Sequence, residues 1–249
     1  MPGVSRARLV SIGLMLPLLI PAVPSAETPA KAVAATVKKP MLLVARLVTQ
    51  EKLRPNIDEM LQNAPSAKAI GAKWNASNPA WEKARSVITG RIDRIADLYG
   101  DSADYTAMLQ SEIDRTAPGE QSAAMAKMLS SPAGPSILRS QGMIQFVSTV
   151  MADDPSGPKI GDPAWRDRMR ALSTLFKDRA GAAFPPDDPA RASEVQQYFG
   201  SPDAAAFRNL WNGVVGKIGV KLDGAINLVM FDDREAIQRE LDAAIATAK

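Results

Sequence analysis

Three pairs of adjacent aspartates are the residues whose type and spacing point most directly to chemistry: Asp153–Asp154, Asp187–Asp188 and Asp232–Asp233. Paired carboxylates can share the acid and base work of glycoside cleavage, or they can bind calcium. Each pair, however, stands beside a predicted helix end, where aspartate caps free backbone N–H groups and its charge is favoured by the helix dipole. We therefore expect these acids to cap helices. The sequence identifies no catalytic, cofactor-binding or metal-binding residue.

The loop 153–162 combines acids at both ends with two internal glycines. It lacks the alternating oxygen ligands and the terminal glutamate of an EF-hand loop, so we do not expect it to bind calcium. We interpret this loop as the connection between two halves of the chain.

The segment Gly142–Phe146 resembles the Gly-Leu-Met-Gln element of lytic transglycosylases, which cleave glycans with a glutamic acid. Those enzymes place a Glu-Ser pair at a helix end shortly before the glycine. The nearest glutamates here are Glu112, which is followed by isoleucine, and Glu120, which is followed by glutamine, so neither matches. In the simpler interpretation the apolar residues of this segment are core positions: Met143, Ile144, Phe146 and Val147.

Histidine and cysteine are both absent from the 249 residues. Histidine is the commonest general base and a common zinc ligand. Its absence excludes Ser-His-Asp and Cys-His hydrolases, histidine-ligated haem proteins and typical zinc enzymes. Without cysteine there is no disulfide framework, so stability must come from a buried core. No cofactor is expected.

Tryptophan and methionine side chains could form an apolar ligand surface. Indole presents an apolar body with one N–H donor, and methionine packs adaptably. Both residue types recur at helical spacing beside Ala, Ile and Val, however, so we expect them to fill a core. They are Trp74, Trp81, Trp165 and Trp211, with Met125, Met128, Met143 and Met151.

The first 26 residues have the three parts of a secretory signal. Arg6 and Arg8 form a basic start, and Leu9–Val23 is almost wholly apolar. The small residues Ser25 and Ala26 follow, as cleavage requires. The apolar run is shorter than the roughly 20 residues that span a bilayer. We therefore expect cleavage near Ala26, a soluble mature chain without a membrane segment, and a location in the bacterial periplasm.

The mature chain is nearly neutral. The full sequence carries 30 Lys plus Arg and 27 Asp plus Glu, and removing the two signal arginines leaves a net charge of +1. A nucleic-acid binder normally concentrates basic residues on one face, whereas charges of both signs alternate here. The one clear basic doublet, Lys38–Lys39, falls in residues 27–40, whose Ala, Pro, Thr and Lys content predicts a flexible linker. We expect no nucleic-acid partner.

Apolar residues recur every three or four positions through most of the remaining chain, which predicts an all-α protein. In the segment 79–99, for example, Trp81, Ile88 and Ile92 share one face. Only residues 219–230 fit either a strand or a buried helix. Helices are predicted near 41–62, 66–75, 79–99, 102–115, 119–130, 132–151, 163–180, 189–199, 202–218 and 233–248.

Helix starts carry a capping side chain followed by proline, whose missing N–H costs nothing in a first turn. Asp232 with Glu235 adds a predicted capping box. The phrase Asn78–Trp81 reappears as Asp162–Trp165, and Met128–Ala133 is echoed by Tyr198–Asp203 in the same order. This pattern predicts two divergent halves, about 41–153 and 162–249, packed into a single helical domain over 41–249 as a compact bundle.

The segment Met128–Gly134, with Ile137 and Leu138 following, resembles the best-known segment of a bacterial envelope family catalogued as domain of unknown function 2059. Its members are exported, all-helical proteins in which an apolar pair precedes Ser-Pro-x-Gly and an amphipathic helix. The resemblance covers mainly 80–153, with a weaker echo over 188–218. Pro135 stands where the family usually has a basic residue. The resemblance implies no known activity and no catalytic residue.

These features together predict a non-enzymatic periplasmic protein that binds an envelope partner, either a protein or a lipid-like ligand. Two alternatives remain open: a carboxylate-dependent glycan-cleaving enzyme, and a small-molecule carrier with a cavity between helices. A cleft holding an isolated, desolvated glutamate would favour the enzyme, and a closed apolar cavity would favour the carrier.

Overall fold

The computed structural model describes residues 28–152, 157–181 and 183–247. The signal segment Met1–Ala26 with its cleavage point, and the pair Asp153–Asp154, lie outside the described residues. The prediction of an all-α fold is confirmed, and no strand occurs in the described part of the chain. The helices are α1 Pro29–Asn63, α2 Ala67–Ile70, α3 Pro79–Gly100, α4 Ala103–Thr116, α5 Glu120–Leu129, α6 Gly134–Ala152, α7 Pro163–Ala180, α8 Ala192–Phe199, α9 Asp203–Asp232 and α10 Arg234–Ala246.

The flexible linker predicted at 27–40 needs correction, because residues 29–40 form the first turns of α1. Thr28 caps this helix by accepting a hydrogen bond from the Lys31 backbone N–H at 3.4 Å, and a proline occupies the first turn. Val33 and Val37 lie one turn apart and are completely buried. The Ala- and Pro-rich composition concealed this spacing, and burial of the two valines outweighs the backbone hydrogen bond that Pro40 removes inside the helix.

Helix α1 is the central helix of the bundle, and it packs against α3, α4, α5, α6 and α9. Between Pro40 and Thr49 it is buried on nearly every side, as expected for a helix with apolar residues all round. The buried apolar residues of both predicted halves form one continuous cluster. A chain of aromatic rings joins α6, α7 and α9 within it: Phe146, Phe176, Phe184, Trp211 and Phe207.

The strand allowed at 219–230 is not formed, because these residues continue α9 to Asp232. The predicted helix 66–75 is also shorter than expected, with α2 followed by a single 3-10 turn at Gly71–Lys73. Trp74 ends that turn, and its indole N–H donates to the Leu61 carbonyl at 2.9 Å. None of the described helices is long and apolar enough to cross a membrane.

Ion pairs fix neighbouring helices relative to each other. Arg91 on α3 makes a two-point contact with Glu240 on α10, with N–O distances of 2.7 and 2.8 Å. Arg168 on α7 lies 3.6 Å from Glu51 on α1. Helix α7 therefore faces α1 as well as packing on α6, and this placement creates an open groove beside α1.

Candidate functional site

Two open pockets lie along α1 between α3 and α7, and together we call them the α1 groove. Its two ends share Arg179 of α7 as a lining residue. The end toward the start of α1 has a volume of about 490 Å³, and the other end about 330 Å³. We name the first the basic end and the second the paired end, because their charged side chains are arranged differently.

The basic end carries four cationic side chains and two acidic ones. The cations are Lys38, Lys39, Arg46 and Arg179, and the acids are Asp97 and Asp101. Arg46 is paired with Asp97 at 3.5 Å and with Asp93 at 3.3 Å. Lys39 and Arg179 are exposed, and neither side chain has a hydrogen bond or ion pair within the described residues. Two cations at this end are therefore free to meet an anion from solution.

The floor of the basic end is apolar. Leu42 and Leu43 contribute from α1, and Ala183 contributes from the segment that follows α7. Gly100, the last residue of α3, lets Leu42 approach the α3 backbone, because a Cβ at this glycine would overlap the Leu42 Cδ2 atom. The glycine therefore allows the Leu42 side chain to pack close to the α3 backbone, and this packing sets the depth of the groove floor.

Tyr105 of α4 holds the α1 segment that carries the two lysines. Its hydroxyl donates to the Lys38 backbone carbonyl at 2.6 Å, and the Lys38 Nζ lies 5.6 Å from the centre of its ring. The same Nζ also donates to Thr106 Oγ1 at 3.1 Å. Burial raises the pKa of Tyr105, so the phenol stays protonated as a donor. These contacts occupy Lys38 and leave Lys39 as the free cation of the doublet.

The paired end also contains Arg54 and Arg85, and both contact a carboxylate, unlike Arg179, which lines both ends. Arg85 donates through Nη2 to Asp58 at 2.7 Å and also contacts Glu82. Glu51, whose side chain is only 7% exposed, is contacted at 3.4 Å by Arg54 and at 3.6 Å by Arg168. Apart from the shared Arg179, the arginines at this end are paired with carboxylates, so they offer little to attract a ligand.

The two glutamates weighed for glycan cleavage lie outside the α1 groove. Glu120 is exposed at the start of α5. Glu112 on α4 is completely buried, and it contacts Arg115 at 2.8 Å and also Lys217 of α9. The hydrogen bond from Arg115, supported by Lys217, holds the pKa of Glu112 below its usual range despite its burial. A general acid for glycoside cleavage needs the opposite, a raised pKa.

The capping prediction holds for only part of the acidic pairs. Asp188 accepts a hydrogen bond from the Ala190 backbone N–H at 3.0 Å, as a cap does. Asp233 precedes α10 without any side-chain cap bond, so the predicted capping box at Asp232 is not formed. In the loop 153–162, Asp162 accepts from the Lys159 backbone N–H at 3.1 Å but does not cap α7.

The predicted core residues mostly lie in the core. Trp74, Trp81, Trp211 and Phe146 are buried, as is Met125, while Met128, Met143, Met151 and Val147 pack at the edge of the core. Two differ from expectation. Trp165 is only half-buried, because α7 packs on α6 at the side of the bundle, and Ile144 is 46% exposed. Within the described residues no group of three acidic, histidine or cysteine side chains could hold a metal ion.

Sequence reasoning missed the α1 groove itself. The doublet Lys38–Lys39 was the one local signal of this site. Because it was assigned to a flexible linker, it was not connected with the face of a helix. Leu42 and Arg46 follow Lys39 at spacings of three and four, which is one face of a helix. Arg179, Gly100 and Tyr105 reach the same site only through the fold. Comparison of the chain with protein-family models, with curated proteins and with solved structures finds no match.

Proposed function

We propose that this protein is a non-enzymatic binding protein of the bacterial periplasm, and that it holds an anionic, lipid-like molecule at the basic end of the α1 groove. One observation carries the proposal. Lys39 and Arg179 have no side-chain partner in the described residues, and both line the groove whose floor is Leu42 and Leu43. Unpaired cations beside an apolar floor suit a ligand with an acidic group and an alkyl chain.

The dimensions of the basic end support a short or medium alkyl chain. With a helical rise of about 1.5 Å per residue, Lys39 and Arg46 lie roughly 10 Å apart along α1. Leu42 and Leu43 occupy the interval between them. The acidic group would contact Lys39 and Arg179, and the chain would cover the leucines. Burial of each CH₂ group contributes about 0.8 kcal/mol, so the apolar floor adds to a contact that exposed charges alone make weakly.

The surroundings of the other candidate residues favour binding over catalysis. Glu112, the fully buried glutamate, is neutralised by two cations and is ionised at neutral pH, so it cannot supply the proton that glycan cleavage needs. The α1 groove is open along its length, and this arrangement suits a ligand exchanged with a membrane or a partner more than one enclosed by a carrier. The periplasmic part of the proposal depends on the segment Met1–Ala26.

Isothermal titration with decanoate tests the proposal, because decanoate combines a carboxylate with a ten-carbon chain. Acetate supplies the charge alone, and decanol supplies the chain alone. We expect measurable binding of decanoate and much weaker binding of either fragment. In the double variant Lys39→Glu/Arg179→Glu, the affinity for decanoate should fall roughly tenfold or more, because every 1.4 kcal/mol of lost contact changes Kd tenfold.

The matched control is Lys68→Glu/Lys127→Glu, which makes the same change in net charge at exposed lysines that line neither end of the groove. This variant should bind decanoate within about twofold of the parent protein, since distant surface charges are screened by salt. Absence of decanoate binding in the parent, or equal weakening in both variants, would overturn the proposal. Equal binding of decanol and decanoate would remove the role given to the cations.

A further inference from the structure

The second half of α9 exposes an unusual row of large apolar side chains. Val220 is 74% exposed, Leu228 62% and Phe231 80%. Together with Gly216 and Gly224 they recur at spacings of four, four, four and three, which places them on one face of the helix. We call these five residues the α9 stripe. Apolar side chains that are contiguous rather than scattered indicate an interaction surface.

An open groove, which we call the hole, lies beside the first half of the α9 stripe. Gly216 and Val220 form one wall of an open groove of about 490 Å³, and Tyr99 and Met108 form the opposite wall. This groove shares no lining residue with the α1 groove. The second half of the stripe, at Leu228 and Phe231, protrudes instead of enclosing space. One surface of the molecule therefore carries both a hole and a pair of apolar knobs.

The spacing about Gly224 makes the α9 stripe complementary to itself. Val220 and Leu228 lie four residues before and after this glycine, and Gly216 and Phe231 lie eight before and seven after. If two copies pair antiparallel across Gly224, the partner's Leu228 meets Val220, and the partner's Phe231 reaches the hole. No atom would contact a Cβ added at Gly224, so the face is open and two helix backbones can approach closely there.

One side of the α9 stripe carries charges with the same symmetry. At about 3.6 residues per turn, Lys217, Lys221 and Asp232 fall on the same side of the stripe. An antiparallel arrangement brings the partner's Asp232 next to Lys217, with Lys221 within reach. Asp232 is exposed and has no side-chain partner in the described residues, and the capping role expected for it is not fulfilled. A free acid at one end thus faces lysines at the other.

We infer that the occupant of this surface is a second copy of the chain, docked antiparallel along the α9 stripe with Phe231 of each copy in the hole of the other. This is a two-fold, self-complementary contact. At about 1.5 Å per residue and a helix diameter of about 10 Å, the stripe and its flanking acid cover roughly 240 Å², which is less than the roughly 800 Å² per partner of a standard interface. The dimer should therefore dissociate on dilution.

Sedimentation velocity across a micromolar concentration series tests the inference. The parent protein should shift from monomer to dimer as its concentration rises. Leu228→Lys/Phe231→Lys removes both knobs, and we expect it to remain monomeric over the same series. Ile144→Lys/Ile160→Lys is the matched control, because it adds the same charge at two other exposed apolar side chains. The control should dimerise as the parent does.

Charge exchange provides a second test that does not depend on the apolar residues. Lys221→Asp and Asp232→Lys should each weaken dimerisation severalfold, because each places like charges together across the contact. The double variant should recover part of the loss, since the Lys221–Asp232 pair is restored with its signs exchanged while Lys217 keeps its charge. A parent protein that stays monomeric throughout would overturn the inference. So would an equal loss in the Ile144/Ile160 control, or a double variant weaker than both single ones.

Discussion

The two ends of the α1 groove contain similar side chains but use them differently. At the paired end, Arg85 is 12% exposed and contacts Asp58 and Glu82. At the basic end, Lys39 and Arg179 are exposed without partners in the described residues. Paired, partly buried cations stabilise a fold and are unavailable to ligands, whereas free cations add little stability but attract anions. Under the proposed function, the paired end stabilises the fold and the basic end binds the ligand.

Making the basic end resemble the paired end should weaken ligand binding strongly. In Leu42→Glu, the new carboxylate lies one helical turn from both Lys39 and Arg46, and the apolar floor is lost as well. We expect decanoate binding to weaken by about 2 kcal/mol, which is nearly 30-fold. Isothermal titration measures this change. Ile160→Glu, an equivalent change at an exposed apolar residue, should leave binding unaltered, and a comparable loss there would contradict the comparison.

Removing one cation from each end should change the stability of the fold at the paired end only. Arg85→Ala should lower the free energy of unfolding by about 2 kcal/mol, because charge-assisted hydrogen bonds and packing are lost together. Lys39→Ala should change it by less than about 0.5 kcal/mol, as usual for an exposed side chain. Urea denaturation followed by circular dichroism measures both. Equal destabilisation by the two variants would mean that the ends do not differ in this way.

The Glu112 cluster extends the comparison to a buried carboxylate with two cationic partners. Glu112→Gln should destabilise the fold by about 1 kcal/mol at neutral pH, because charge-assisted hydrogen bonds are replaced by weaker ones. The pKa of Glu112 is lowered in the folded protein, so its stabilisation is complete above the unfolded pKa of about 4.3 and is lost as the pH falls through the lower folded pKa.

Urea denaturation at pH 7 and at successively lower pH values measures this dependence. The difference in stability between parent and Glu112→Gln should shrink as the solution is acidified. The control is Glu120→Gln, which changes an exposed glutamate and should have no comparable effect. A difference that stays constant down to pH 3 would contradict the assigned role of the charge.

Two glycines of α3 give the smallest and most closely matched test. Gly90 lines the paired end, and an added Cβ there would meet no atom within 4 Å, so Gly90→Ala should stabilise the helix by about 0.5–1 kcal/mol. Gly100→Ala should not give this gain, because its Cβ would displace Leu42 into the basic end. We expect decanoate affinity to fall only in Gly100→Ala, and similar titrations for both variants would contradict the role given to this glycine.

Most helices could be predicted from the sequence because their signals are local. Proline after Asn78 and after Asp162 marks the starts of α3 and α7 correctly, although only Asn78 caps its helix with a side-chain hydrogen bond. Helical periodicity identifies the elements between them. The first turns of α1 could not be predicted from composition, since their stability comes from burying Val33 and Val37 against distant helices. Helix α9 extends through residues 219–230 for the same reason, with Leu222 and Ile226 buried on its inner face.

Unlike most helices, the candidate site could not be predicted from local sequence, because it depends on the fold. Trp81 and Trp165 open similar phrases, yet only Trp81 is buried, because its helix packs against the central α1 whereas α7 lies at the side of the bundle. The basic end brings together Lys39, Gly100 and Arg179 from three helices, and no local pattern relates them. Asp232 illustrates the reverse case, since its local pattern predicted a cap that the fold does not form.

The sequence by itself determined the all-α class, the spacing of most helices, and the absence of histidine and cysteine chemistry. These properties follow from residue types and from periodicities of a few positions, which act over one or two turns of chain. Only the tertiary structure decided that α1 is the central helix, that Glu112 is neutralised, and that Lys39 and Arg179 find no partner among the described residues. Ion pairing and burial depend on which side chains, distant in sequence, come into contact, and the packing between helices determines those contacts.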